Sequence, residues 1–339
     1  MALKIAINGF GRIGRAAFRV MQKRNDVEVV AINDLTENEV LAHLLKYDTA
    51  YGRFDGEVSH DVHGLVVNGK QYLVTAEKDP AALPWSELGV DIVLECTGRF
   101  VKDDAAKAHL QAGAKRVVVS APTKGGETQT FILGVNHETY SDEAMVSNAS
   151  CTTNCVGPVT SVIENAFGIE KAILTTIHSY TAEQNLVDGP PPGLKGDLRR
   201  ARASAQNIVP TSTGAAISVT EVLPQLKNKF DGLAIRVPTI VGSLSDITFV
   251  LKRDVTIEEV NHAFERAADQ MVYKGVLMVT RDPIVSSDII GNPHSAIVDL
   301  SLTQVIGGNL LKVIAWYDNE WGYANRLVEM AAMVGKTVK

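Results

Sequence analysis

Apolar and polar positions along the chain follow two rhythms, and the change between them falls near Gly168. Over the first hundred residues short apolar runs alternate with longer amphipathic ones. Leu3 to Asn8 (LKIAIN) predicts a buried strand, and Arg15 to Lys23 (RAAFRVMQK) a helix turning Ala16, Phe18 and Val20 to a core. Val27 to Asp34 (VEVVAIND) predicts a second strand, which completes a βαβ unit. Further strands are expected at LVVNGKQYLVT, VDIVLECTG and RVVVSAP, with DDAAKAHLQAGAK as an intervening helix. The expectation is a mostly parallel sheet covered by helices. Beyond Gly168 the apolar segments lengthen and lose their intervening helices: KAILTTIHSYT, FDGLAIRVPT, SDITFVLKRD, SAIVDLSLT and NLLKVIAWYD. They predict a large, mostly antiparallel sheet, with one helix over Glu258 to Val272 packed on it. A last helix, in NEWGYANRLVEMAAMVGK, is expected to return to the first domain. The fold class is therefore α/β with an α+β second domain. The divisions expected are 1–150, joined by 317–339, and 151–316.

Composition narrows the function. The chain has 339 residues, 45% hydrophobic and 21% charged, which suits an ordinary two-domain soluble protein. Its formal net charge of -6 gives no global field to gather nucleic acid or an anionic membrane, so any anionic ligand must be held by local groups. No apolar run approaches the roughly 18 residues that span a bilayer, and MALKIAINGFGR lacks a signal-peptide pattern, so a cytoplasmic location is expected. Three cysteines and eight scattered histidines show no CxxC or HExxH spacing, which predicts neither a disulfide framework nor a metal site. The DGPPPGLKGD segment (Asp188 to Asp197) predicts an irregular surface or interface loop.

Two motifs carry chemistry. In NGFGRIG, Gly9, Gly11 and Gly14 form G-x-G-x-x-G between the first strand and the first helix. Gly9 allows the tight turn, Gly11 lets backbone approach a pyrophosphate, and Gly14 permits close helix–strand packing. Asp34, at the end of the second strand, can accept from the ribose hydroxyls of NAD and would repel the 2′-phosphate of NADP. In VSNASCTTNC, Ser150 is placed to cap a helix whose first turn holds Cys151, a location expected to lower the thiol pKa. Cys96 and Cys155 read as packing residues. His178 ends the strand ILTTIH and is the candidate base for the thiol. Around this pair Thr152, Thr181, Thr213, Gly214, Arg200 and Arg236 offer hydroxyls, an amide and guanidinium forks suited to phosphate.

INGFGRIGR, AINDL, SAPTKGG, SNASCTTNC, HSYT, DLRRARA, NIVPTSTGAA, RVPT and WYDNEWGY occur in this order from end to end. In these segments the whole chain resembles the phosphorylating glyceraldehyde-3-phosphate dehydrogenases. The resemblance implies a Rossmann dinucleotide-binding domain, a catalytic domain, NAD as cofactor, glyceraldehyde 3-phosphate and inorganic phosphate as substrates, and a homotetramer. It implies Cys151 as nucleophile, through a thiohemiacetal and a thioester, and His178 as base. Thr181 and Arg236 match one anion subsite, with Arg200 nearby, and Ser150, Thr152, Thr213 and Gly214 match the other. For NAD, Arg12 and Ile13 match the pyrophosphate turn, Asp34 the adenosine ribose, and Thr97 and Ser120 the walls near the nicotinamide end. Asn319 matches the residue at the carboxamide and Tyr323 the aromatic beside the ring.

The chain also departs from the family pattern. Ile217 replaces the usual Lys, IVGSLSD follows RVPT, Tyr51 replaces His, Lys78 replaces Arg beside the adenine, and Glu183 stands where Thr or Asp is frequent. Pro190 fits the pattern of NAD users. The competing readings are an erythrose-4-phosphate dehydrogenase, disfavoured by SAPTKGG and the intact TSTG, and a non-catalytic nucleotide- or RNA-binding module, disfavoured by the set Cys151, His178, Arg236 and Asn319.

Overall fold

Strand β1 (Leu3–Asn8), helix α1 (Arg12–Met21) and strand β2 (Val27–Asn33) form the first βαβ unit in the computed structural model, which describes residues 2–191 and 196–338. The chain separates into two compact units. One comprises Met1–Phe131, Glu138–Ser150 and Tyr323–Lys339; the other comprises Ile132–His137 and Cys151–Gly322.

The first unit continues with α2 (Asn38–Lys46), a two-stranded ribbon of β3 (Tyr47–Asp48) and β4 (Gly52–Arg53), and strands β5 (Val58–Asp61), β6 (Gly64–Val67) and β7 (Lys70–Thr75). Then come α3 (Trp85–Leu88), β8 (Ile92–Glu95), α4 (Ala108–Gln111), β9 (Arg116–Val119), β10 (Gln129–Thr130) and β11 (Met145–Ser147). Its sheet runs β10-β11-β9-β8-β1-β2-β7-β6-β5. Pairing is parallel from β10 to β7 and antiparallel at the β7-β6-β5 edge.

Two sequence expectations fail here for local reasons. LVVNGKQYLVT is a hairpin and not one strand, because Asn68 and Gly69 take φ of 50° and 79° and reverse the chain between β6 and β7. Asn-Gly is the pair that a two-residue hairpin turn selects. The helix expected in DDAAKAHLQAGAK shrinks to a 3-10 turn, Ala105–Lys107, followed by α4. Asp103 and Asp104 before it have positive φ, and the Asp104 carboxylate accepts from the amides of Glu127 and Thr128, so this stretch anchors a loop.

From Tyr323 onward the last helix (Trp321–Gly335) belongs to this unit, and its Leu327, Val328, Met330, Ala331 and Val334 are completely buried. Each of the larger of these side chains contributes roughly 1.5–3 kcal/mol by leaving water. Tyr323 donates to the Ala149 carbonyl at 2.8 Å, and the Tyr140 and Thr337 hydroxyls meet at 3.2 Å.

The second unit opens with α5 (Cys151–Phe167), followed by β12 (Ile169–Ser179), β13 (Val209–Ser212), α6 (Ala215–Val222), β14 (Phe230–Val237) and β15 (Ser243–Leu251). It ends with α7 (Ile257–Ala268), β16 (Leu277–Thr280), β17 (Ala296–Asp299), β18 (Gln304–Ile306) and β19 (Leu310–Tyr317). The sheet order is β13-β14-β12-β15-β19-β17-β16, with β18 also on β19. Only the β12–β14 and β16–β17 pairings are parallel among the described residues. Helix α5 is buried on nearly every side, which its run of small and apolar residues permits, and α7 begins with a Thr256–Glu259 capping box. Of the proline-rich loop, Asp188 to Pro191 carries no helix or strand, and Pro192 to Lys195 lie outside the described residues.

Candidate active site

In the second unit, the parallel pairing of β12 with β14 sets His178 opposite Arg236, and the start of α5 brings in Cys151. Cys151 Sγ lies 3.4 Å from His178 Nε2. His178 Nδ1 lies 2.6 Å from the Ser179 carbonyl oxygen, which can only accept, so Nδ1 carries the proton and Nε2 presents a lone pair to the thiol. The ring is almost fully buried. Burial, with the nearby positive charges of Arg236 and Arg200, pushes its pKa down to about 3, against the pull of the Ser179 carbonyl. His178 is therefore a neutral acceptor across the physiological range.

The thiol corrects a sequence expectation. Helix-start amides and Arg236 do pull the Cys151 pKa down, but burial outweighs them and pushes it above its ordinary value. The sulfur rests as a thiol whose proton has an acceptor in place, rather than as a standing thiolate. Cys155, one turn on, is wholly buried and its thiol is pushed up further; burial, aided by the Glu95 charge, likewise pushes Cys96 up to about 12.

Beside this pair lies a cationic cluster. Arg236 donates to the Ser179 carbonyl at 3.2 Å and to Thr181 Oγ1 at 3.1 Å. Arg200, on the 3-10 turn Leu198–Ala201, donates from Nε to Thr211 Oγ1 at 3.0 Å. One carboxylate oxygen of Glu183 takes Arg200 at 2.6 Å, Thr181 Oγ1 at 3.3 Å and Arg236 at 3.4 Å. Two guanidiniums thus share one carboxylate, Thr211 Oγ1 in turn donates to Asp197 at 2.6 Å, and the paired forks are donors suited to a further anion. The sequence marked Glu183 only as a departure; its part in this cluster follows from β12 and β14 ending side by side.

The other anion candidates are distributed around α5 and α6. Thr152 is buried, with its hydroxyl 2.9 Å from that of Tyr317, which also meets Thr176 Oγ1 at 2.8 Å. Tyr317, which the sequence reading missed, therefore props the first turn of α5 from below, and its ring packs edge-on against His178. Thr213 accepts from the Ala215 amide at 3.1 Å, and Gly214 caps α6 with open space where a Cβ would stand. Ser150 directly precedes Cys151 and is half-buried. Ile217 is exposed on α6. Asn319 accepts through Oδ1 from the Gly242 amide at 3.1 Å and from Ser243 Oγ at 2.9 Å, so its remaining function is as an amide donor.

The first unit holds a cleft of about 720 Å³ walled by Gly9, Gly11, Asp34, Lys78 and Thr97. It fits a dinucleotide on steric grounds. Gly9 has φ +94°, a Cβ on Gly14 would stand 2.2 Å from the Gly9 carbonyl oxygen, and a Cβ on Gly11 would meet nothing within 4 Å. Gly9 and Gly14 close the turn against each other, and Gly11 leaves its backbone open to a ligand. Asp34 accepts from the Phe10 amide at 2.7 Å and the Thr36 amide at 2.9 Å, which fixes its carboxylate at the cleft edge. Four other candidates have different surroundings. Arg12 pairs with Asp48 and lies over Tyr51, Ile13 is half-buried in the first turn of α1, Ser120 follows β9, and Tyr323 is engaged with Ala149. No cluster of three His, Cys, Asp or Glu side chains among the described residues could hold a metal ion.

Comparison with known proteins agrees along the whole chain. Residues 3–103 match the family model for the glyceraldehyde 3-phosphate dehydrogenase NAD binding domain, and residues 150–319 match that for its C-terminal domain. The chain is 51% identical to a glyceraldehyde-3-phosphate dehydrogenase of Streptomyces coelicolor, over 99% of each chain. It is 51% identical to that of Geobacillus stearothermophilus over 98% of each, and 52% identical to glyceraldehyde-3-phosphate dehydrogenase 1 of Bacillus cereus over 97% of each.

Proposed function

The chain belongs to the glyceraldehyde-3-phosphate dehydrogenase family, and from that premise we propose how its residues divide the work. It is an NAD-dependent oxidoreductase that converts glyceraldehyde 3-phosphate and inorganic phosphate to 1,3-bisphosphoglycerate. In our reading Cys151 Sγ adds to the aldehyde carbon as its proton passes to His178 Nε2 and on to the former aldehyde oxygen, giving a thiohemiacetal and leaving Nε2 free again. NAD, when bound, supplies the hydride acceptor for oxidation to the thioester. His178 takes the hydroxyl proton in that oxidation. Phosphate oxygen then attacks the thioester carbonyl, and the acyl–sulfur bond breaks to return Cys151. The observation that carries this reading is the 3.4 Å approach of Cys151 Sγ to a neutral, correctly oriented imidazole beside Arg236.

Thr181 and Arg236 form one anion subsite with Arg200 alongside, and Ser150, Thr152, Thr213 and Gly214 form the other. Gly9, Gly11, Arg12, Ile13, Gly14, Asp34, Lys78, Thr97, Ser120, Asn319 and Tyr323 hold NAD, within a nucleotide-binding domain of 1–150 plus 317–339 and a catalytic domain of 151–316. A homotetramer is supported by apolar side chains left exposed on the second unit's strands, such as Ile173, Leu233 and Ile306. No helix among the described residues is long and apolar enough to cross a membrane, and the three cysteines are unpaired; both accord with a cytoplasmic site of action. The test is NADH formation from glyceraldehyde 3-phosphate with and without phosphate, with erythrose 4-phosphate alongside. Sustained turnover that ignores phosphate, or preference for the tetrose, would overturn the reading.

A further inference from the structure

Behind the cleft of the first unit lies a buried polar chain that the catalytic reading does not use. The Glu95 carboxylate, at the end of β8, is essentially inaccessible to solvent, as are His109 and Trp85. Glu95 Oε2 accepts from Asn8 Nδ2 at 2.6 Å and lies 3.0 Å from His109 Nε2. Glu95 Oε1 accepts from the Thr97 amide at 2.8 Å and also from the Thr97 hydroxyl. Trp85 Nε1 lies 3.0 Å from His109 Nδ1.

The tautomer follows from donor chemistry. An indole N–H can only donate, so His109 Nδ1 is the acceptor, and the ring proton sits on Nε2, pointing at Glu95. Four donors therefore converge on the two oxygens of Glu95, which saturates it as a carboxylate with no lysine or arginine in the cluster. Such a group is held in one orientation, since losing any donor leaves a buried acceptor unpaired. The chain then reaches the ligand side. Asn8 and Thr97 wall the cleft, and Asn8 Oδ1 accepts at 2.7 Å from Asn33, which lines it too. Asn33 Oδ1 in turn accepts from the Glu77 amide at 2.9 Å.

We propose that His109 is a positioning residue for the dinucleotide: donating from Nε2, it fixes the Glu95 carboxylate and, through it, holds Asn8 and Thr97 in the cleft wall. This rests on the reading that the cleft takes NAD. His109 acts on cofactor affinity and leaves the chemistry at Cys151 alone.

The experiment compares full-length wild type, His109→Phe, His109→Gln and Asp34→Ala. It measures NAD dissociation by titration calorimetry, KM for NAD and for glyceraldehyde 3-phosphate, kcat at saturating NAD, and the melting temperature. Loss of one hydrogen bond to a charged group predicts NAD binding about ten- to hundredfold weaker in His109→Phe, with kcat and the aldehyde KM within about twofold of wild type. His109→Gln keeps a donor toward Glu95 and should recover most of the affinity. If His109→Phe does not fold, Glu95→Gln supplies the same readout, because an amide cannot accept from all four donors. Unchanged NAD affinity in folded His109→Phe, or in Glu95→Gln where that is the folded variant, overturns the proposal. So does a fall in saturated kcat as large as the loss of affinity, or a folded His109→Gln as weak as the phenylalanine variant. Weakened binding in Asp34→Ala without it in His109→Phe would sink this proposal alone; undiminished binding in both would sink the cleft assignment as well.

Discussion

Replacing His178 by asparagine removes the imidazole acceptor placed at the Cys151 thiol. The structure sets both the size of the effect and its pH course. A positioned base contributes roughly 10²–10⁴ in rate, which at about 1.36 kcal/mol per decade is about 2.7–5.4 kcal/mol of barrier. Without it, attack on the aldehyde must wait for the sulfur to ionise by itself. Burial has pushed that ionisation above the ordinary thiol range, so the thiolate fraction grows nearly tenfold for each pH unit gained through about pH 7 to 9. In the wild type the imidazole, with its pKa held down at about 3, is a neutral acceptor throughout that interval, and the rate climbs less. The deficit of the variant should therefore be about hundredfold or more near pH 7 and shrink at least tenfold by about pH 9. Single-turnover stopped-flow absorbance of NADH, at saturating NAD and without phosphate, isolates this acylation. A deficit below about threefold at neutral pH, or one that stays constant on the alkaline side, would refute the role given to Nε2.

The same burial makes His178 a source of acid lability. Its pKa is depressed on folding from 6.5 to about 3, so the unfolded chain takes up a proton that the folded one refuses, and stability falls as pH drops through that window. Chemical denaturation midpoints at about pH 7 and about pH 4.5 should converge in His178→Asn relative to wild type; equal pH sensitivity would argue against a buried neutral ring. Arg236→Lys keeps the charge but loses the fork that engages Ser179 and Thr181, and should raise KM for glyceraldehyde 3-phosphate about tenfold or more while leaving NAD affinity intact; an unaltered KM would remove Arg236 from the anion subsite. The nucleotide turn offers a paired contrast. Gly14→Ala forces a Cβ against the Gly9 carbonyl and should cost about 1–3 kcal/mol with a lower melting temperature, whereas Gly11→Ala has room in the protein and should weaken only NAD binding. Identical behaviour of the two variants in calorimetry would contradict the division of roles.

How far the sequence could be read depended on whether the deciding contacts were local. Strand β1, helix α1 and strand β2 were legible because an apolar run, a glycine turn and an amphipathic stretch act within a few residues of one another. Cys151, His178 and Arg236 were legible because Cys151 begins a recognisable helix and the other two lie near the ends of recognisable strands, and the parallel register of β12 with β14 puts those two side by side. The Asn68–Gly69 reversal was equally local and was hidden by the apolar residues on both sides of it. Other features depend on long-range packing. Glu183 joins Arg200 and Arg236 only once two strand ends are adjacent. The direction of the Cys151 pKa is set by burial, which no window of sequence around VSNASCTTNC reports. His109 is one of eight histidines in the sequence, and only its pairing with Trp85 and Glu95 separates it from the rest.

The part of the last helix that belongs to the first unit, from Tyr323 onward, follows in the order of synthesis the whole stretch from Cys151 to Gly322. A ribosome adding about 5–20 residues per second makes those roughly 170 residues over something like 10–30 s. Throughout that interval the nascent nucleotide unit lacks Leu327, Val328, Met330 and Val334, which are fully buried in the finished protein. Closing the nucleotide unit is therefore a late event in synthesis, because the residues that complete it are the last to leave the ribosome.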